Sequence, residues 1–152
     1  MPGTPGLLNM KAPVEYVDPL IDTANRRFFF MNTASRPFGM VNLSPDTRAG
    51  TDAWDAGYRY TDSHIHWFSH VHAWQLCGVP VMPTMGDMRG PMGSDAYKSR
   101  FAHDSEIARP GYHAVTLDDY AIRAELTATT RVGLHRYTFT RSGRAWILLD
   151  LL

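Results

Sequence analysis

Tyr120-Ala-Ile-Arg-Ala-Glu-Leu-Thr-Ala128 decides the fold class of this chain. Ile122, Ala124, Leu126 and Ala128 alternate with Arg123, Glu125 and Thr127. Successive side chains of an extended backbone point to opposite faces, so this period of two predicts a strand with one buried and one solvated face. Asp118-Asp119 precedes it as a turn, because Asp side chains bond their own backbone. Tyr112-His-Ala-Val-Thr-Leu117 reads as the strand before that turn. On the other side, Thr129-Thr130 makes a weaker turn that lacks Gly or Asn. Arg131 to Thr140 is rich in aromatic and β-branched residues, as strands are. Arg141-Ser-Gly-Arg144 is a third turn, and Ala145-Trp-Ile-Leu-Leu-Asp-Leu-Leu152 a last strand with Trp146 in the core. Tight turns between neighbours predict an antiparallel meander. The fold class that follows is all-β, an antiparallel β-sandwich.

Upstream, the pattern loosens. Residues 1–13 hold three prolines and two glycines and read as a flexible leader. From Val14 to about Asp95, short apolar runs such as Phe38-Gly-Met-Val-Asn-Leu43 and Leu76-Cys-Gly-Val-Pro-Val-Met82 are broken by Gly and Pro, which predicts short strands and long loops. Met85 to Asp95, rich in Gly, Met and Pro, reads as a surface loop. No internal repeat and no long amphipathic helix is visible. One domain, residues 14–152, is expected. Its closing strand is so apolar that it would leave a sticky edge in a complete sandwich. That favours an incomplete sandwich over a last strand placed centrally.

Composition narrows the function classes. With 44% hydrophobic and 20% charged residues, the balance is that of a globular domain. Lys plus Arg and Asp plus Glu are both 15, so there is no basic excess to recruit nucleic acid or an anionic membrane. The single cysteine, Cys77, rules out an internal disulfide and leaves the compartment open. No secretory signal pattern and no apolar run of transmembrane length is visible.

The densest chemical constellation is Thr61-Asp-Ser-His-Ile-His-Trp-Phe-Ser-His-Val-His-Ala-Trp74. In one extended strand, His64, His66, His70 and His72 would share a face. Imidazoles so placed suit a metal site, but no cysteine stands at ligand spacing. They also suit a polar sugar cleft, since imidazole donates or accepts a hydrogen bond. Trp54, Tyr58, Tyr60, Trp67, Phe68 and Trp74 surround the stretch. Sugars pack their C–H faces on such rings. Trp54, flanked by Asp52, Asp55 and Gly57, is the best candidate platform. Glycosidases need two carboxylates at a set separation. Asp46, Asp52, Asp55, Asp62, Asp104, Glu106, Asp118 and Asp119 are available, and none forms a distinctive pair. Glu125 points outward and is expected to be solvated. No phosphate loop, nucleophile elbow or EF-hand loop occurs.

Several blocks together carry a family resemblance. They are Val17-Asp-Pro-Leu-Ile-Asp22, Pro37-Phe-Gly-Met-Val-Asn-Leu-Ser-Pro-Asp-Thr47, Gly57-Tyr-Arg-Tyr-Thr-Asp-Ser63, Phe68-Ser-His-Val-His72 and Pro110-Gly-Tyr-His-Ala-Val-Thr-Leu117. Glu125-Leu-Thr-Ala-Thr-Thr-Arg-Val-Gly-Leu-His-Arg-Tyr-Thr-Phe139 completes the series. In this order they resemble the opening of glycoside hydrolase family 92. The resemblance implies a supersandwich-like N-terminal domain of an inverting, calcium-dependent exo-α-mannosidase acting on mannose-containing glycans. It implies that catalytic acid, base and calcium ligands lie mainly in a C-terminal helical domain missing from this chain, so that no catalytic residue and no metal ligand is assigned here. It implies an exported protein. By the same resemblance, the substrate-binding residues are Trp54, His70, His72 and Trp74. Asn25-Arg-Arg-Phe-Phe-Phe30 and Ala73-Trp-Gln-Leu-Cys-Gly78 depart from the family pattern. Three functions are thus expected in order: a mannosidase N-terminal domain that is inactive alone, a stand-alone carbohydrate-binding module, and a metal-binding domain built on the histidine cluster.

Overall fold

A computed structural model of the protein describes residues 11–24, 34–48, 57–72 and 78–151. Most of the expected leader, residues 1–10, lies outside the described residues, as do Trp54, Trp74 and Cys77. The described strands in chain order are β1 (Ala34–Ser35), β2 (Asn42–Asp46), β3 (His64–Ile65), β4 (Trp67–Ser69), β5 (Val81–Met85), β6 (Ser99–Arg100), β7 (Ile107–Arg109), β8 (Tyr112–Leu117), β9 (Ile122–Ala128), β10 (Gly133–Phe139) and β11 (Ala145–Leu149). A single-turn helix α1 (Ser94–Tyr97) is the one α-helix among the described residues. No described helix is long and apolar enough to cross a membrane.

The strands form a five-stranded sheet, β1-β2-β4-β5-β11, a four-stranded sheet, β10-β9-β8-β7, and a small β3-β6 pair. All pairings are antiparallel. The all-β sandwich expected from the sequence is therefore the observed class. In β9, Ile122, Ala124 and Leu126 are buried at 0–1% exposure while Arg123 and Glu125 lie on the outer face. Register carries that alternation into both neighbours: Ala124 faces Val115 of β8 and Tyr137 of β10. Leu43, Phe68 and Met82 of the first sheet join the same core. Each large apolar side chain so buried contributes roughly 1.5–3 kcal/mol. Phe68 closes the gap between the sheets, its ring centroid 6.1 Å from that of Tyr137.

Two expectations fail at the last strand. The meander holds for β8, β9 and β10, but β11 leaves it. The 141–144 link carries the chain to the other sheet, where β11 pairs with β5 from Ala145↔Met85 to Leu149↔Val81. Gly143 sits in this link at φ 148°, a conformation that glycine adopts most easily. Trp146 is half-buried rather than core: its Nε1 donates to the Gly86 carbonyl at 2.9 Å, which holds the ring at the sheet border. Ile147 and Leu149 face outward at 51% and 62% exposure. Tyr58 and Phe68, expected among sugar-packing rings, are core residues at 1% and 0% exposure.

Candidate functional site

The four clustered histidines do not share a face. The Thr61–Trp74 stretch breaks between β3 and β4, because β3 pairs with β6 and β4 with β2 and β5. Each imidazole thus enters a different environment.

His72 is the most constrained. Its side chain is 1% exposed and lies against Asp46, which is fully buried. His72 Nε2 is 2.9 Å from Asp46 Oδ1, and Nδ1 is 2.6 Å from the Asn42 carbonyl. Ser69 Oγ donates to Asp46 Oδ2 at 2.6 Å, and Ser44 Oγ lies 3.3 Å from His72 Nε2. Burial pushes the His72 pKa down, but the charge and hydrogen bond of Asp46 and the Asn42 carbonyl outweigh it, so the net direction is up. These bonds tie the end of β2 to the chain leaving β4.

His70, two residues earlier, is half-buried and reaches across to β10. Its Nε2 is 3.0 Å from His135 Nε2, and His135 Nδ1 is 2.7 Å from Tyr137 Oη. Burial and the neighbouring His70 push His135 down to about 4, and burial, then His72, push His70 down as well. Both rings are therefore neutral near pH 7, and one N–H serves both. Gly133 makes room for this pair: a Cβ there would lie 2.3 Å from His70 Cδ2.

His64 and His66 face a third region. His64 Nδ1 is 3.0 Å from Ser63 Oγ. His66 is buried, and its ring meets Trp67 edge-on at 6.0 Å. Asp62 beside them is clamped by Arg48 at 2.8 and 3.0 Å and by Thr47 at 2.9 Å. Burial would raise the Asp62 carboxyl, but the hydrogen bonds from Arg48 and Thr47 bring it below its ordinary value.

A fourth cluster was not singled out from the sequence. Glu106 accepts from Tyr58 Oη at 2.9 Å, lies 2.6 Å from His103 Nδ1 and is 3.4 Å from His113 Nε2. His113 is fully buried, and burial followed by Arg123 pushes it down to about 3, so its ring is neutral. A signal for it exists in the sequence: in Tyr112–Leu117, His113 falls on the inward face with Val115 and Leu117. Glu125 also departs from its expected solvated state. It is outward-facing but chelated by Arg136 and bonded by Tyr112 Oη at 2.7 Å, and these partners hold it down at about 2.

Chemically, the described part is dominated by its buried polar groups. Its buried carboxylates, Asp46 and Glu106, are each bound to histidine and hydroxyl partners. Among the described residues, no three His, Cys, Asp or Glu side chains gather as metal ligands. The four-histidine metal face is thus not formed. Of the sequence-derived substrate-binding residues, His70 and His72 lie next to each other with both rings engaged by protein. Trp54 and Trp74 lie outside the described residues.

Comparison with known proteins gives this arrangement a context. Residues 16–152 match the glycosyl hydrolase family 92 N-terminal domain. The family GH92 alpha-mannosidase BT3965 from Bacteroides thetaiotaomicron shares 32% identity and a TM-score of 0.80, over 90% of this chain and 20% of that one. Its complex with mannoimidazole gives 32% and 0.78, over 90% and 19%. The family GH92 inverting mannosidase BT2199 from the same organism, at 24% identity, shares the fold with a TM-score of 0.75 over 92% and 20%. The chain spans about a fifth of the length of these structures. No curated protein matches it.

Proposed function

Because this chain belongs to glycosyl hydrolase family 92 through that family's N-terminal domain, we propose that it walls part of the sugar cleft of an inverting exo-α-mannosidase. The substrate is the terminal α-mannoside of a glycan. The observation that carries this is the 32% identity, over 90% of the chain, to an alpha-mannosidase whose structure holds mannoimidazole.

In this proposal Trp54 stacks on a sugar ring and Trp74 and His70 border the same cleft. His72 contributes by anchoring: its pairing with Asp46 fixes the chain on which His70 stands. Inversion needs an acid and a base roughly 6.5–9.5 Å apart with room for water between them. Asp46 and Glu106 are tied to protein partners, so the catalytic pair is assigned to a separate helical domain. The calcium implied by the family is assigned there too, by the same resemblance.

The pure chain is therefore expected to release no mannose from an aryl α-mannoside, with or without calcium. Calcium-dependent hydrolysis by the chain alone would overturn this assignment. Mannoside is also expected to quench its tryptophan fluorescence, and Trp54→Ala to remove the response. A response that survives Trp54→Ala refutes the stacking role.

A further inference from the structure

The turn Arg36-Pro-Phe-Gly39 is built against the preference of its own sequence. The Gly39 N–H donates to the Arg36 carbonyl at 2.8 Å and closes the turn. The Met40 N–H donates to the Thr130 carbonyl at 2.8 Å and fastens it to the link between β9 and β10. Proline at the second position and a left-handed third position are the pattern of a type II turn, which ordinarily takes Gly or Asn there. Here Phe38 occupies it at φ 58°, a strained conformation for a bulky side chain. Burial does not offset the strain, because Phe38 is fully exposed, at 104%. Strain of this kind clusters at binding sites.

Phe38 lines an opening of about 380 Å³ together with Val17, Arg36, Asn42 and Pro110. That volume falls within the ~300–1,000 Å³ of small-molecule sites. Arg36 is exposed, and its guanidinium makes no ion pair or hydrogen bond with any described residue. The Asn42 side-chain amide likewise has no hydrogen bond among the described residues, while the backbone of Asn42 bonds His70 and His72. No acidic residue stands among the described lining. Asp18, between Val17 and Pro19, lines a different opening and accepts from the Leu20 N–H at 2.9 Å. Charge therefore selects an anion. A guanidinium presents a planar fork of N–H donors that matches a carboxylate bidentately. The amide both donates and accepts, as a sugar hydroxyl does. The exposed ring offers a face for C–H groups. We infer that this opening is a subsite for an acidic saccharide, with Arg36 on the carboxylate of a uronic acid unit, Phe38 against its C–H face and Asn42 on a hydroxyl. The choice of a saccharide rests on the carbohydrate reading above, and the site adds residues distinct from Trp54, His70, His72 and Trp74.

The test is a titration of the ¹⁵N-labelled chain with methyl β-glucuronide, followed through the Arg36 Nε–H and the backbone N–H groups of Phe38 and Gly39. Saturable shifts are expected, with affinity on the order of millimolar. Methyl β-glucoside has the same ring without the charge and should bind about tenfold more weakly. Arg36→Met and Phe38→Gly should each weaken glucuronide binding about tenfold. Phe38→Gly should also raise the urea midpoint, because glycine relieves the left-handed position and no buried contact is lost. A Phe38 kept for stability alone would lower that midpoint and leave binding unchanged. Acetate, titrated separately, should leave Phe38 and Gly39 unmoved. Glucoside binding as tight as the glucuronide's, unchanged binding in Arg36→Met, or the same shifts with acetate each overturn the subsite. The tryptophan response to mannoside is read in separate samples of the same chain. If it persists while the glucuronide is silent, this subsite fails and the proposed function stands. If the glucuronide binds while mannoside is silent, the subsite stands and the mannoside reading fails.

Discussion

At Gly133 a single hydrogen atom decides whether two histidines can meet. A Cβ there would lie 2.3 Å from His70 Cδ2 and 3.3 Å from Leu43 Cδ2. Gly133→Ala must therefore displace the His70 ring and break its contact with His135, at a cost of about 1–3 kcal/mol. In a His70→Ala background most of that cost should vanish, because the colliding ring is gone. Urea midpoints of the four proteins form the cycle, and equal costs in both backgrounds would count against the steric account. Asp46 offers a second residue-level prediction. Leaving a buried polar group without its hydrogen-bond partner costs about 1–3 kcal/mol, so Asp46→Ala, which strips both His72 and Ser69 of theirs, should be destabilising. Asp46→Asn is the gentler probe: the Asn42 carbonyl alone then opposes burial at His72, and the His72 pKa should fall from its raised value by NMR titration. A His72 pKa that stays raised in Asp46→Asn would show that Asp46 is not its cause. Neither pair was legible in advance. Asp46 stands in a region broken by Gly and Pro, and its partner is 26 residues away. His135 lies 65 residues from His70. Spacing along the chain says nothing about contacts made across a sandwich.

At the scale of elements, legibility follows the period of the pattern. Strands β8, β9 and β10 could be read because one face is apolar, the other polar, and two turns are short. The first sheet could not, because β2 contains Pro45 and β5 contains Pro83. Proline lacks the N–H that a ladder needs, so such segments read as loops. Their pairing with β4 and β11 overrides that local signal. Strand β11 failed differently. Ala145-Trp-Ile-Leu-Leu149 is apolar on both faces and shows no period from which a partner could be chosen. Its place at the border of the five-stranded sheet has a measurable consequence. An uncharged edge strand is a template for further pairing, and natural edges are commonly blunted with lysine. The chain should self-associate as its concentration rises, and Ile147→Lys or Leu149→Lys should suppress this, because both side chains face outward. Sedimentation velocity across a concentration series decides it. Lysine variants that associate as strongly as the parent would place the sticky surface elsewhere.

At the scale of the whole molecule, the histidines make the sandwich sensitive to acid. His66, His70, His113 and His135 all have pKa values lowered by burial, His113 to about 3 and His135 to about 4. In the unfolded chain each returns to about 6.5. As pH falls below that value, the unfolded chain takes up protons that the folded chain refuses. Stability therefore declines with acid through this window, by up to about 1.4 kcal/mol per pH unit for each fully shifted group. His72 runs the other way: its contribution is complete below about 6.5 and is lost as pH rises through its raised folded value. Four groups against one make the acid loss dominate. Between pH 6.5 and 5, Asp62 and Glu125, both held below the ordinary carboxylate range, keep their charge and add nothing to the slope. Urea unfolding at pH 7 and pH 5 should show a clear loss of stability in the parent. His135→Phe removes one buried titrating ring, so its loss over the same interval should be smaller. His72→Phe removes the opposing term, so its loss should be larger. Slopes that are the same in all three proteins would mean that the inter-sheet histidines do not govern the acid response.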